Sequence, residues 1–195
     1  MLIYILIGIA VVVLLWVVMT YNFFVSAKAR ISAAKQEIGN QLKRQFDLIP
    51  NLEESTKGYL KHEKGIFQDL TAARKSVAAA VKSGDLAEMA EAGSRLAGIL
   101  PKIQVLVEDN PELKANEVVA RLMDELRDTS DKVMYSRRLL IDLVADYNVK
   151  RVSFPSNLIA NMFNFEAMVG LKVAEEGEHL EVSEVETKAP KVKLS

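Results

Sequence analysis

The first 27 residues carry no charged side chain, and Leu2 to Met19 reads LIYILIGIAVVVLLWVVM. An α-helix rises 1.5 Å per residue, so about 20 apolar residues cross the hydrocarbon of a bilayer. Lipid offers backbone N–H and C=O groups no partner, so a lone spanning segment has to be a helix. Trp16, Tyr21 and Phe23 lie toward the C-terminal end of the run, where aromatic rings favour the interface. The feature predicts an anchor that meets the lipid bilayer through residues 2–25. A cleaved signal peptide is the rival, because Val25-Ser26-Ala27 resembles a cleavage site. No Lys or Arg precedes the run, however, and it exceeds the roughly 7–15 residues of a signal's apolar core. A retained, single-pass anchor is therefore expected. Lys28, Arg30, Lys35, Lys43 and Arg44 follow it, opposed by Glu37. Positive flanks stay in the cytoplasm, so the N-terminus is expected outside and the remaining chain inside.

Beyond the anchor, Ile31, Ile38, Leu42, Phe46, Ile49, Leu52, Tyr59, Ile66, Leu70, Val77 and Val81 recur at helical spacing. Pro50 should kink or break this stretch, with Asp47 as a cap for its restart. A turn is expected near His62–Gly65, and Ser83-Gly84-Asp85 reads as a stop followed by an N-cap. Leu86, Met89, Gly93, Leu96, Leu100, Ile103 and Val107 define the next helix, bent or split by Pro101. Asn110 and Pro111 then read as a cap and first helical position. The last long helix carries Leu113, Val118, Leu122, Leu126, Val133, Leu140, Val144 and Tyr147, and should end before Ser153-Phe154-Pro155. Ser156-Asn157 should cap a short helix over Leu158, Ile159, Met162 and Phe163. No strand pattern occurs between residues 28 and 165. The expected fold is all-α: a transmembrane helix over 1–27, then an antiparallel bundle of about four long helices over 28–165. The acidic tail, 166–195, reads as solvated; its rival reading is a hairpin pairing Val169–Val173 with His179–Val182, which alone would be marginal.

Composition removes many chemistries. There are no cysteines, so thiolate metal sites and cysteine nucleophiles are excluded, and there are only two histidines. The net charge of -1 argues against a nucleic-acid binder. The nine glycines never cluster into a phosphate-cradling loop. His62-Glu63 begins like the H-E-x-x-H metal motif, but Ile66 stands where the second His would be. A histidine at a helix turn is the expected reading, with no metal and no cofactor. Met89, Met123, Met134, Met162 and Met168 read as core or interface.

Three polar clusters remain. They are Asp47, Pro50 and Asn51; Lys114, Ala115 and Asn116; and Tyr147, Asn148, Phe154, Pro155, Ser156 and Asn157. Capping and chain reversal account for such residues at turns; a recognition surface for protein partners is the functional alternative. These clusters also carry a likeness. Gln41 to Leu52 (QLKRQFDLIPNL), Lys57-Gly58-Tyr59 with His62-Glu63, Pro111 to Asn116 (PELKAN), and Tyr147-Asn148 followed by Phe154 to Asn157 (FPSN) resemble the bacterial LemA family, in order, over roughly residues 1 to 165. The chain departs from the family pattern at Leu140-Ile141, where members usually have an earlier Tyr-Asn pair, and at Asn110, often Tyr. Its tail stands apart from the common pattern.

The resemblance implies a bacterial inner-membrane anchor, a cytoplasmic helical bundle and no established enzymatic activity. Family members are often encoded near membrane proteases or stress-envelope proteins, and some relatives shape internal membranes. The expectation is a non-enzymatic scaffold that binds membrane or cytoplasmic proteins and itself as a homo-oligomer. Direct membrane remodelling through self-assembly is one alternative. A hydrolase or metal enzyme using His62 is another.

Overall fold

The computed structural model describes residues 1–60 and 64–171. Among them run six helices and no strand: α1 (Leu2–Leu60), α2 (Lys64–Ser83), α3 (Leu86–Asp109), α4 (Pro111–Lys114), α5 (Glu117–Val152) and α6 (Ser156–Met162). Four are long, as expected, and they pack as a bundle in which α1 and α5 form the largest pairing. That pairing is antiparallel. Phe24 meets Tyr147 at one end, and Arg44 meets Glu125 farther along.

α1 has two characters. No residue from 2 to 19 is buried, and this part is long and apolar enough to cross a membrane. Burial begins at Thr20 and Phe24 and then follows one stripe: Ile31, Ile38, Leu42, Ile49 and Leu52. The helix is unbroken at residue 27, where the anchor was expected to give way to a separate domain.

It also runs through Pro50 without the break and restart that the proline suggested. Proline in a helix interior costs about 3 kcal/mol. Ile49 and Leu52, fully buried on either side, hold the backbone in register against that cost. Asp47 therefore lies mid-helix and caps nothing. Pro101 is likewise inside a continuous α3, between the buried pairs Ile99-Leu100 and Ile103-Leu106.

Punctuation elsewhere is mixed. Asp85 caps α3 as expected, its carboxylate accepting from the N–H groups of Ala87 and Glu88 at 2.9 Å each. Gly84 before it takes φ 65°, the left-handed conformation that glycine adopts without penalty. Asn110 does not cap through its side chain; its Nδ2 instead donates back to the Leu106 carbonyl at 2.7 Å. The helix it opens lasts one turn, and Asn116 starts α5 by accepting from Val118 and Val119 N–H. Val118, expected in the core, is exposed in this first turn, and Val119 is buried instead.

The bundle core has two parts. The proximal core, nearest the apolar N-terminal stretch, joins Phe24, Ile38, Leu42, Val77, Met89, Val133, Leu140, Tyr147 and Phe165. The distal core joins Ile49, Leu52, Leu70, Leu96, Ile103, Leu113 and Leu126. Between them Gln45 is fully buried and donates to Ser130 Oγ at 2.9 Å. Gly93 lets α3 close on its neighbours: a Cβ there would stand 3.0 Å from Val133 Cγ1 and 3.6 Å from Leu42 Cδ2. Met89 and Met123 are buried, whereas Met134 and Met162 are exposed.

Candidate functional site

The proximal end gathers the largest set of motif residues. Tyr147 and Asn148 lie in the last turns of α5, and a chain reversal through a cis Phe154–Pro155 bond leads into α6. Ser156 does not cap α6. Its hydroxyl sits 2.6 Å from the Lys150 carbonyl and 2.9 Å from the Ser153 carbonyl, tying α6 to the end of α5. Asn157 is half-buried, with Oδ1 buried and unpartnered.

α6 closes with Asn164 at φ 52°. The Phe165 N–H reaches the Ala160 carbonyl at 2.8 Å and the Asn164 N–H reaches Asn161 at 3.3 Å. This is the Schellman pattern, with asparagine in the position glycine usually fills. It turns the chain back, so that Phe165 enters the core, stacked 4.8 Å from Phe24. Phe24 also meets Tyr147 edge-on at 5.4 Å. Tyr21 adds rings at 4.9 Å from Phe163 and 5.6 Å from Phe165.

Residues 165–171 then run as a strap along α5, held by hydrogen bonds to consecutive motif residues. Tyr147 Oη donates to the Glu166 carbonyl at 2.9 Å. Asn148 uses both halves of its amide on one residue: Nδ2 donates to the Met168 carbonyl at 2.8 Å, and Oδ1 accepts from the Met168 N–H at 2.9 Å. Arg151 Nε donates to the Phe165 carbonyl at 2.8 Å. The start of the tail is thus docked, and residues 169–171 form no strand, contrary to the hairpin reading; its remainder, 172–182, lies outside the described residues. Burial pushes the Tyr147 hydroxyl above its usual pKa; the Arg151 guanidinium opposes this and the Glu166 carboxylate reinforces it.

The other motif residues lie elsewhere. Asp47, Pro50 and Asn51 sit in the last quarter of α1, with Asp47 and Asn51 exposed. Asp47 is 23 residues from Phe24, about 35 Å along the helix at 1.5 Å per residue. Lys114 and Asn116 are exposed at the α4–α5 junction, on the distal half. His62 and Glu63 lie outside the described residues. The structure therefore unites Tyr147, Asn148, Pro155 and Asn157 and keeps the other two clusters apart from them. Sequence reasoning missed Phe24, Arg151, Asn164 and Phe165 as members of this arrangement. Asn164, past the end of an apolar helix, was the readable signal.

No group of three or more His, Asp or Glu side chains converges among the described residues. An open groove between α1 and α5 is lined by Arg30, Ala33, Glu37, Tyr135 and Leu139, with Tyr135 70 % exposed.

Comparison with protein families matches the LemA family model to residues 34–193, and the chain belongs to the LemA family. The match runs well past residue 165, so the tail lies within the family pattern rather than outside it. Comparison with curated proteins gives no match.

Proposed function

We propose that this LemA family member is a membrane-anchored, non-enzymatic scaffold that holds protein partners at the cytoplasmic face of a bacterial inner membrane. The observation that carries the reading is α1 itself. One helix is apolar with no residue buried over 2–19 and becomes the central strut of a bundle from Phe24 onward. An uncovered apolar surface of that length is stable in lipid and not in water. The cations Lys28, Arg30, Lys35, Lys43 and Arg44 orient the bundle inward. The groove bearing Tyr135 supports the partner role, because aromatic side chains in a shallow apolar cleft are favoured interface anchors.

The test has two arms. Alkaline carbonate extraction should leave the full chain in the membrane; release into the soluble fraction would refute anchoring. A photo-crosslinking residue in place of Tyr135 should give discrete adducts in intact membranes, lost on adding Leu139→Asp. Its failure to give adducts would remove the groove as the partner site. Self-association is part of the same proposal, since one anchor holds all copies in a plane and raises their effective concentration. Size measurement in mild detergent tests it. The informative truncation ends at Leu171, because a cut at 166 would also remove the strap that Tyr147 and Asn148 hold.

A further inference from the structure

Phe154, Leu158, Met162 and Phe163 are 81, 57, 63 and 45 % exposed, while Ile159 and Ala160 on the other side of α6 are buried in the core. Leu158 and Met162 are four residues apart on α6 and so lie on one face of it, while Phe154 stands in the turn just before the helix, at the base of the bundle. The exposed Val149 and Val152 on the last turn of α5 adjoin them in sequence. Clustered apolar surface of this kind marks an interaction site.

Its height identifies the occupant. The Phe163 ring is 4.9 Å from Tyr21, so α6 sits at the level of Tyr21 on α1. Tyr21 lies 19 residues beyond Leu2, about 29 Å along the helix, which is the thickness of a hydrocarbon core of about 30 Å. α6 is therefore level with the boundary between acyl chains and headgroups. The cations fit that level. Lys28 is the first charge after the apolar run, its Nζ 6.0 Å from the Phe165 ring, and Lys150 Nζ is 5.7 Å from the Phe23 ring. Aromatic rings with flanking lysines are the side chains that partition to the interface and meet lipid phosphates.

We propose that α6 is a second membrane contact, lying on the bilayer surface with Phe154, Leu158 and Met162 immersed in the interface beside the anchor. This rests on the anchoring reading above. It makes the bundle a two-point attachment, so that it stands in a fixed rotational setting about α1.

The natural absence of cysteine allows single-site labelling. The full chain, carrying Leu158→Cys or Met162→Cys with an environment-sensitive fluorophore, is reconstituted in phosphatidylcholine and phosphatidylglycerol vesicles. Quenching by nitroxides on the lipid is compared with quenching by aqueous iodide. Val18→Cys reports the anchor and Val105→Cys a distal exposed surface; circular dichroism confirms that each variant is folded. The expected result is lipid quenching at 158 and 162 several-fold above that at 105, with protection from iodide. Iodide access at 158 and 162 together with lipid quenching at 18 overturns the α6 contact and leaves the anchor standing. Protection from both quenchers at 158 and 162 shows that a second copy or another protein covers the face, and overturns it too. Absence of lipid quenching at 18 overturns both readings.

Discussion

The proximal and distal cores are built from the same helices on different principles. The distal core is aliphatic: Ile49, Leu52, Leu70, Leu96, Ile103 and Leu126 bury area with no directional bond among their side chains. The proximal core adds the rings of Phe24, Tyr147 and Phe165 and is closed by a strap whose backbone is bonded to Tyr147, Asn148 and Arg151. Aliphatic side chains repack readily, whereas stacked rings and paired amides demand one arrangement. One end of the bundle is held by area and the other by geometry. The motif pair Tyr147-Asn148 belongs to the second kind. Its polar atoms hold a chain segment in place rather than stand open to solvent.

Substitutions can break or sharpen that contrast. The largest effect, common to both halves, is expected from Leu42→Asp and Leu126→Asp. Both side chains are fully buried, and an unpaired charge there should cost more than about 4 kcal/mol, enough to abolish a cooperative melt by circular dichroism. Wild-type melting in either variant would mean that its core is misassigned. Phe24→Ala should then cost about 3–5 kcal/mol, while the volume-conserving Leu126→Met should cost less than about 1.5 kcal/mol. Equal costs would erase the distinction between the halves.

Asn148→Ala should cost about 1–3 kcal/mol, because it removes both bonds to Met168. Amide exchange should rise at residues 166–171 and stay unchanged around Leu126. A uniform rise would show that the strap is not a local element. The smallest effect is pH-dependent. Tyr147 has its pKa raised in the folded chain, so its contribution is complete below the unfolded value of about 10 and is lost as pH rises through the folded value. Stability should fall in that alkaline window, and Tyr147→Phe should flatten the fall while costing about 0.5–1.5 kcal/mol at neutral pH for the lost bond. An unchanged alkaline limb would assign the fall to other groups.

The helical stripes were legible because burial and period coincide: Ile38, Leu42, Leu96, Leu126 and Leu140 all reach the core they were assigned. The long uncovered apolar helix was legible for the opposite reason, since an apolar run without a stripe has no preferred side. The breaks were harder to read. Pro50 and Pro101 break a peptide but not a helix clamped by core residues on both flanks. Asn110 and Asn116 look alike as caps, and which one starts the long helix depends on a turn between them. The motif pair was visible in sequence, but its purpose was not. The partners of Tyr147 and Asn148 are backbone atoms about 20 residues away, and backbone carries no sequence signature.

The unbroken α1 acts as a ruler. From Tyr21, the level proposed above for the membrane boundary, to Leu60 it counts 39 residues, about 58 Å at 1.5 Å each. The screening length of physiological salt is about 8 Å, so with Tyr21 at that boundary the far tip would lie several such lengths above the lipid, beyond the reach of its charge. On that placement a partner gripping the far end of α1 would be met away from the lipid, and one gripping α6 would be met against the headgroups. Because a single helix joins the two heights, the stand-off distance is set by residue count, and inserting or deleting one turn before Leu60 would change it by about 5.4 Å.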